Sequence, residues 1–141
     1  PRIHCLLLVA PRLDCKKSIT TITIETQYGK RLEEILASHA TVYPVGPIRL
    51  GGFDYFFSKH YLQDLAYTNL FDVIAQLSIP ITIIRGESDK KISEKEIHTA
   101  LMRNSNIIFI SLSACGHSFR TPIQKATLCQ VLLDSYVKTC S

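Results

Sequence analysis

Ile79-Pro80-Ile81-Thr82-Ile83-Ile84-Arg85-Gly86-Glu87-Ser88-Asp89, taken with Leu112-Ser113-Ala114-Cys115-Gly116-His117, decides how the rest of this chain is read. Each piece is an apolar strand that runs out into a polar turn. Ile81, Ile83 and Ile84 are β-branched and follow a proline that biases its predecessor to extended geometry. Gly86 lets the chain turn sharply, which leaves Asp89 at the carboxyl end of the first strand. Ile107-Ile108-Phe109-Ile110-Ser111-Leu112 is the second strand, and Gly116-His117 follows its end. Between the two, Ser93-Glu94-Lys95-Glu96 reads as a capping box that opens a helix through Met102. A strand, a helix and a strand in this order form a parallel pair, whose loops emerge on one sheet edge, where ligands bind. An Asp and a His can therefore meet there.

The order Ile-Pro, apolar run, Gly-x-x-Asp, helix, apolar run, Gly-His and closing helix resembles the C-terminal half of the α/β-hydrolase fold, over residues 73–137. In that family the triad runs Ser, Asp or Glu, His along the chain, with Ser in a G-x-S-x-G elbow. The resemblance implies an α/β fold made of the last three parallel strands, their crossover helices and a lid inserted at about 14–72. Residues 1–141 would then be the C-terminal part of one domain. It further implies a serine hydrolase of carboxylic ester or acyl-thioester bonds, an acyltransferase being the close variant. No G-x-S-x-G occurs in these 141 residues. Under the resemblance the nucleophile is thus expected upstream of Pro1, in a missing N-terminal half supplied by the same protein or a separate chain. Ile3 to Ala10, a near-continuous apolar run ended by Pro11, would be the strand after the nucleophile's helix, buried on both faces. The alternative is a relative of this fold that binds a ligand or partner without catalysis.

A serine hydrolase needs an imidazole to take the hydroxyl proton and a carboxylate to fix the imidazole's tautomer. His117 suits the first role and Asp89 the second. Glu87 on the same turn and Asp14 after the first strand are rivals for the acid. Gly86-Glu87-Ser88-Asp89-Lys90 half-matches a nucleophile elbow, but its fifth residue is Lys instead of Gly. Ser88 as nucleophile would also leave no further strand bearing an Asp between its own and the next strand, which His117 follows. His39, His60 and His98 lack carboxylates or cysteines at ligand spacing, so no metal site is expected, and the resemblance implies no organic cofactor. His4 is expected to be packed within the first strand.

Composition excludes several classes. The chain has 46% apolar residues and a formal charge of +4. Its basic residues, including Arg2, Arg12, Lys16, Lys17, Lys30, Arg31, Lys90 and Lys91, form no run of five and read as a solvated surface, which argues against nucleic-acid binding. No apolar stretch reaches the roughly 18 residues that span a bilayer. Five cysteines, odd in number and without a C-x-x-C pair, read as buried reduced thiols and favour a cytoplasmic location.

The middle of the chain is less regular. Ile19 to Ile24 reads as a short strand or extended loop, and Tyr28 to Ala40 as a helix with Leu32, Ile35, Leu36 and His39 on one face. Pro44, Gly46, Pro47 and Gly51-Gly52 mark a loop. Phe53, Phe56, Phe57, Tyr61 and Leu65 fall at broadly helical spacing up to Ala66, and a further helix closes at Leu77. The aromatic residues read either as ordinary core or as a wall that binds an acyl chain. Gly52-Phe53-Asp54-Tyr55-Phe56 and the approach from Leu77 to Pro80 are loosely similar to acyl-carrier thioesterases and acyltransferases of bacterial luminescence operons. This likeness implies Phe53, Phe56, Phe57 and Tyr61 as substrate-binding residues. Thr121-Pro122 then caps a final helix whose expected inward stripe is Ile123, Ala126, Cys129, Leu132, Leu133, Tyr136 and Val137.

Overall fold

A β-branched run without a charge until its penultimate residue becomes the central strand. In the computed structural model, which describes residues 3–15, 18–38 and 42–140, this is β4 (Ile81–Gly86), buried at every position. It pairs in parallel with β1 (Leu6–Val9) on one side and β5 (Ile107–Leu112) on the other, giving the order β1-β4-β5. The chain forms two compact units: Pro1–Leu13 with Phe71–Ser141, which holds this sheet, and Asp14–Leu70. Along the chain, α1 (Ile19–Tyr28), α2 (Leu32–Ala37), β2 (Val45–Leu50), β3 (Phe53–Phe57), α3 (Lys59–Tyr67) and α4 (Leu70–Ala75) lie between β1 and β4. The helix α5 (Glu94–Arg103) joins β4 to β5, and α6 (Pro122–Cys140) follows β5.

Alternation along β4 divides the sheet unit into two layers. Ile81 and Ile83 pack with Ile92, Ile97 and Ala100 of the α5 side, together with Leu13, Ile74 and Ile107. Ile84 faces the other way and packs with Leu112, Cys115 and Phe119, against which Leu128, Val131 and Leu132 of α6 lie. Burying each such isoleucine contributes about 1.5–3 kcal/mol. The helix α5 starts as the sequence predicts. The Ser93 hydroxyl accepts from the Glu96 N–H at 3.2 Å, and the Glu96 carboxylate accepts from the Ser93 N–H. At its other end the buried Asn104 amide donates to the carbonyls of Ile74 and Leu77 at 2.7 and 2.8 Å, tying the segment after α4 to this layer.

Three expectations for this unit are corrected. The first strand is shorter than residues 3–10 and only half-buried. Val9 is exposed, and so is His4, which lies before the strand. Among the described residues only β4 pairs with β1, so its other edge carries no neighbour that would complete the burial. The inward stripe of α6 is also different: Leu132 turns inward as expected, but with Leu128, Val131 and Ser135, while Ile123, Ala126, Leu133, Tyr136 and Val137 are exposed. Apolar residues surround most of this helix, so its periodicity has two solutions and contact with the sheet selects between them. Cys129 is exposed instead of buried. Cys5, Cys15, Cys115 and Cys129 are not joined in disulfides. No described helix is long and apolar enough to cross a membrane.

The Asp14–Leu70 unit departs further from expectation. Ile19 to Ile24 is helical, within α1, although most of its residues are β-branched. The Ser18 hydroxyl caps it by accepting from the Thr21 N–H, and Thr21 and Ile24 bury one face. Packing of that face outweighs a propensity difference of a few tenths of a kcal/mol per residue. Gly29, with φ +62°, ends α1 in the left-handed region, so the next helix begins at Leu32 and not at Tyr28. Leu32 and Ile35 are buried as expected; His39 lies outside the described residues. The stretch read as a loop is a hairpin of β2 and β3 turning at Gly51-Gly52, with cis peptides before Pro44 and Pro47. The aromatic segment is therefore strand up to Phe57 and helix only from Lys59. The core here is Ile24, Leu32, Ile35, Val45, Ile48, Leu62 and Ala66.

Candidate active site

The two loops that follow β4 and β5 are joined backbone to backbone. The Glu87 N–H donates to the Leu112 carbonyl and the Ser88 N–H to the Cys115 carbonyl, both at 2.9 Å. This approach needs a residue without a side chain at position 86. A Cβ on Gly86 would stand 2.4 Å from the Cys115 oxygen and 2.6 Å from the Gly116 oxygen, and neither backbone group can swing away. Gly86→Ala is therefore expected to destabilise the fold by about 1–3 kcal/mol, as overpacking does, and to push the two loops apart. Thermal unfolding measures the first effect. Unchanged stability would mean that the loops separate freely.

Asp89 completes a tight turn, its N–H donating to the Gly86 carbonyl at 3.0 Å, and its side chain is inaccessible to solvent. Carboxylate Oδ1 accepts the main-chain N–H groups of Lys91 at 2.7 Å and Ile92 at 3.1 Å. The other oxygen, Oδ2, lies 2.9 Å from His117 Nδ1. The structure thus brings the two residues together on the strands' carboxyl edge. The carboxylate accepts the proton on Nδ1, which leaves Nε2 as the nitrogen able to take a proton from a hydroxyl. The His117 side chain is one-third exposed and opens on a cleft of about 380 Å³, also lined by Lys91, Phe119, Arg120 and Gln124. Ala114 and Phe119, on either side of His117, have φ of +54° and +42°. Such backbone costs about 1–3 kcal/mol per residue and persists only where surroundings impose it. For Phe119, burial against Ile84 and Leu112 does so.

Burial pushes the Asp89 carboxyl up, but the His117 ring and the N–H groups of Lys91 and Ile92 together outweigh it and hold the group below its ordinary value of 3.8. A carboxylate lowered on folding adds stability above its unfolded value and loses it as pH falls through its folded value. Asp89→Asn should therefore cost stability near neutrality and progressively less as the pH falls below 3.8 through the lowered value of the folded carboxyl. Denaturant titrations of both forms across that range measure this; a gap independent of pH would contradict it.

The other candidates are placed as follows. Glu87 and Ser88 are exposed on the same turn, and neither is the group bonded to His117. Asp14 is half-buried in the other unit. Phe53 and Phe56 are exposed on the hairpin, while Phe57 stacks between Tyr55 and Tyr61 with ring centroids 6.2 and 5.2 Å away. His60 and His98 are exposed, and no cluster of three or more His, Cys, Asp or Glu able to hold a metal occurs among the described residues. Sequence reading missed Arg85 and Arg12, both of which bind the acid loop. An arginine at the end of a strand otherwise composed for burial was the available signal.

No protein-family model and no curated protein matches the sequence. Solved structures do. The chain superimposes over 100% of its length on the esterase domain of a Rhodothermus marinus protein, with a TM-score of 0.68 and 17% identity. It covers 94% of itself on Est1E from Butyrivibrio proteoclasticus, solved with ferulic acid, with a TM-score of 0.56 and 12% identity. In each case it spans about half of the other chain, 54% and 49%. At these identities the likeness is one of fold. The fold is that of the C-terminal portion of the α/β-hydrolase fold, with parallel strands and crossover helices, and here a turn bearing Asp follows β4 and a loop bearing His follows β5.

Proposed function

We propose that this chain carries the acid and histidine of a serine hydrolase that cleaves carboxylic ester or acyl-thioester bonds. His117 is the general base and then the general acid, and Asp89 holds its tautomer and stabilises the imidazolium. The nucleophilic Ser and the oxyanion donors belong to a segment outside these 141 residues, in the same protein or a separate chain. The observation that carries the reading is the Nδ1–Oδ2 bond of 2.9 Å between an Asp and a His that follow successive parallel strands. That esterases share the fold is consistent with it. In this reading the Asp14–Leu70 unit acts as a lid, and the rings of Phe53, Phe56, Phe57 and Tyr61 bind the acyl part of the substrate. Neither a metal nor an organic cofactor takes part, and an alcohol in place of water would make the same site an acyltransferase. The reading places the protein in the cytoplasm.

The test uses the full-length protein, incubated with a short p-nitrophenyl ester and separately with a fluorophosphonate probe. Turnover and covalent labelling of a serine upstream of Pro1 are expected. Absence of both from folded protein would overturn the assignment.

A further inference from the structure

The residues around Asp89 contain more cationic bonding than a turn requires. Arg85 is 6% exposed, although it lies on the same face of β4 as Ile81 and Ile83. Its Nε donates to the Ile92 carbonyl at 2.8 Å and its Nη2 to the Asp89 carbonyl at 2.6 Å. Its third nitrogen, Nη1, is 3.7 Å from the exposed Glu94 carboxylate. From the end of β1, Arg12 reaches the same loop. One of its Nη groups donates to the Lys91 carbonyl and the other to Glu96 Oε2 at 3.3 Å.

These bonds complement those made by the Asp89 side chain. The N–H groups of Lys91 and Ile92 point to Asp89 Oδ1, and the carbonyls of the same two residues accept from Arg12 and Arg85. Rotating the carboxylate away from His117 would break its bonds to the Lys91 and Ile92 N–H groups, and the arginines hold in place the backbone that carries those groups. Burying a guanidinium is costly unless its N–H groups are bonded, and an apolar side chain would fill the same space without that cost. The planar fork binds two carbonyls in a fixed geometry, which a single ammonium does not reproduce.

We propose that Arg85, assisted by Arg12, is a positioning residue that keeps the Asp89 carboxylate aligned on the His117 imidazole. This rests on reading Asp89 and His117 as a catalytic pair, but its test does not require turnover. In ¹⁵N-labelled full-length protein, hydrogen exchange is followed at His117 Nδ1–H, at the Lys91 and Ile92 amides, and at central amides of β4 and β5. Arg85→Met is expected to accelerate exchange at the first three sites by about tenfold to a hundredfold, the effect of losing bonds to a charged group, and to leave the strand amides unchanged. Arg85→Lys, which keeps the charge but not the fork, should fall between the two. Equal acceleration at all sites would show a merely structural arginine and overturn the proposal. So would unchanged exchange at His117 in folded Arg85→Met. Should that variant fail to fold, Arg85→Lys decides: exchange at His117 equal to the unsubstituted protein overturns the proposal. Absence of ester turnover would count against the hydrolase reading alone, since the exchange pattern is read without substrate.

Discussion

His117→Ala in the full-length protein is expected to lower kcat/KM for a short p-nitrophenyl ester by about 10⁴–10⁶-fold, the loss that follows removal of the base from a serine triad. The size of the effect follows from the chemistry. A serine hydroxyl is almost wholly protonated near neutrality, so without a base at hydrogen-bond distance the attacking species is scarce. In the proposed mechanism His117 supplies that base through Nε2, because Nδ1 is committed to Asp89. Asp89→Asn should lose somewhat less, about 10⁴-fold. The amide can offer an N–H to Nδ1 and so favour the wrong tautomer, while the strand-to-turn frame remains. The 141-residue chain alone should show no turnover, since it lacks the elbow serine. Two kinetic outcomes would contradict the triad: His117→Ala retaining a tenth of the activity, or turnover by the rigorously purified 141-residue chain.

The second large effect concerns association. Prepared alone, the 141-residue chain is expected to self-associate, or to pair with a complementary segment when one is supplied. On the far side of β1 no described strand pairs with it, so its outer N–H and C=O groups form an open edge that recruits other strands. Apolar surface accompanies the edge: Val9 is 39% exposed, Ile123 79%, Leu133 60% and Val137 61%. Exposed apolar residues on this unit add to the tendency of the open edge to associate. Size measurement in solution, with hydrogen exchange over residues 3–10, tests this. A stable monomer with those amides protected would mean that the strand is covered from within the chain.

Asp89 and His117 were legible because each follows a strand whose composition and terminator are local. Ile81 to Ile84 and Ile107 to Ile110 are dense in β-branched residues, and Ser93-Glu94-Lys95-Glu96 specifies where the intervening helix begins. The hairpin at residues 45–57 was not legible. Glycine and proline at positions 46, 47, 51 and 52 imitate a loop, while Phe53, Phe56, Phe57 and Tyr61 fit a helical period. Phe53, Tyr55 and Phe57 also alternate as a strand, and pairing of Tyr55 with Ile48 and of Phe57 with Val45 selects that solution. In α1, burial of Thr21 and Ile24 likewise prevails over the strand preference of their neighbours.

The sequence by itself therefore determined the strand-helix-strand order, the strand ends from which Asp89 and His117 emerge, and the start of α5. These depend on side-chain period and on caps, which act over a few residues. Only the tertiary structure decided which face of α6 meets the sheet, why position 86 admits no side chain, and that Arg85 and Arg12 hold the acid loop. Each of these is set by groups far apart along the chain. Gly86 is excluded from carrying a side chain by the carbonyls of Cys115 and Gly116, and the Lys91 carbonyl is bound by Arg12. Such meetings exist only after the strands have paired, because no local pattern specifies which distant backbone groups will approach.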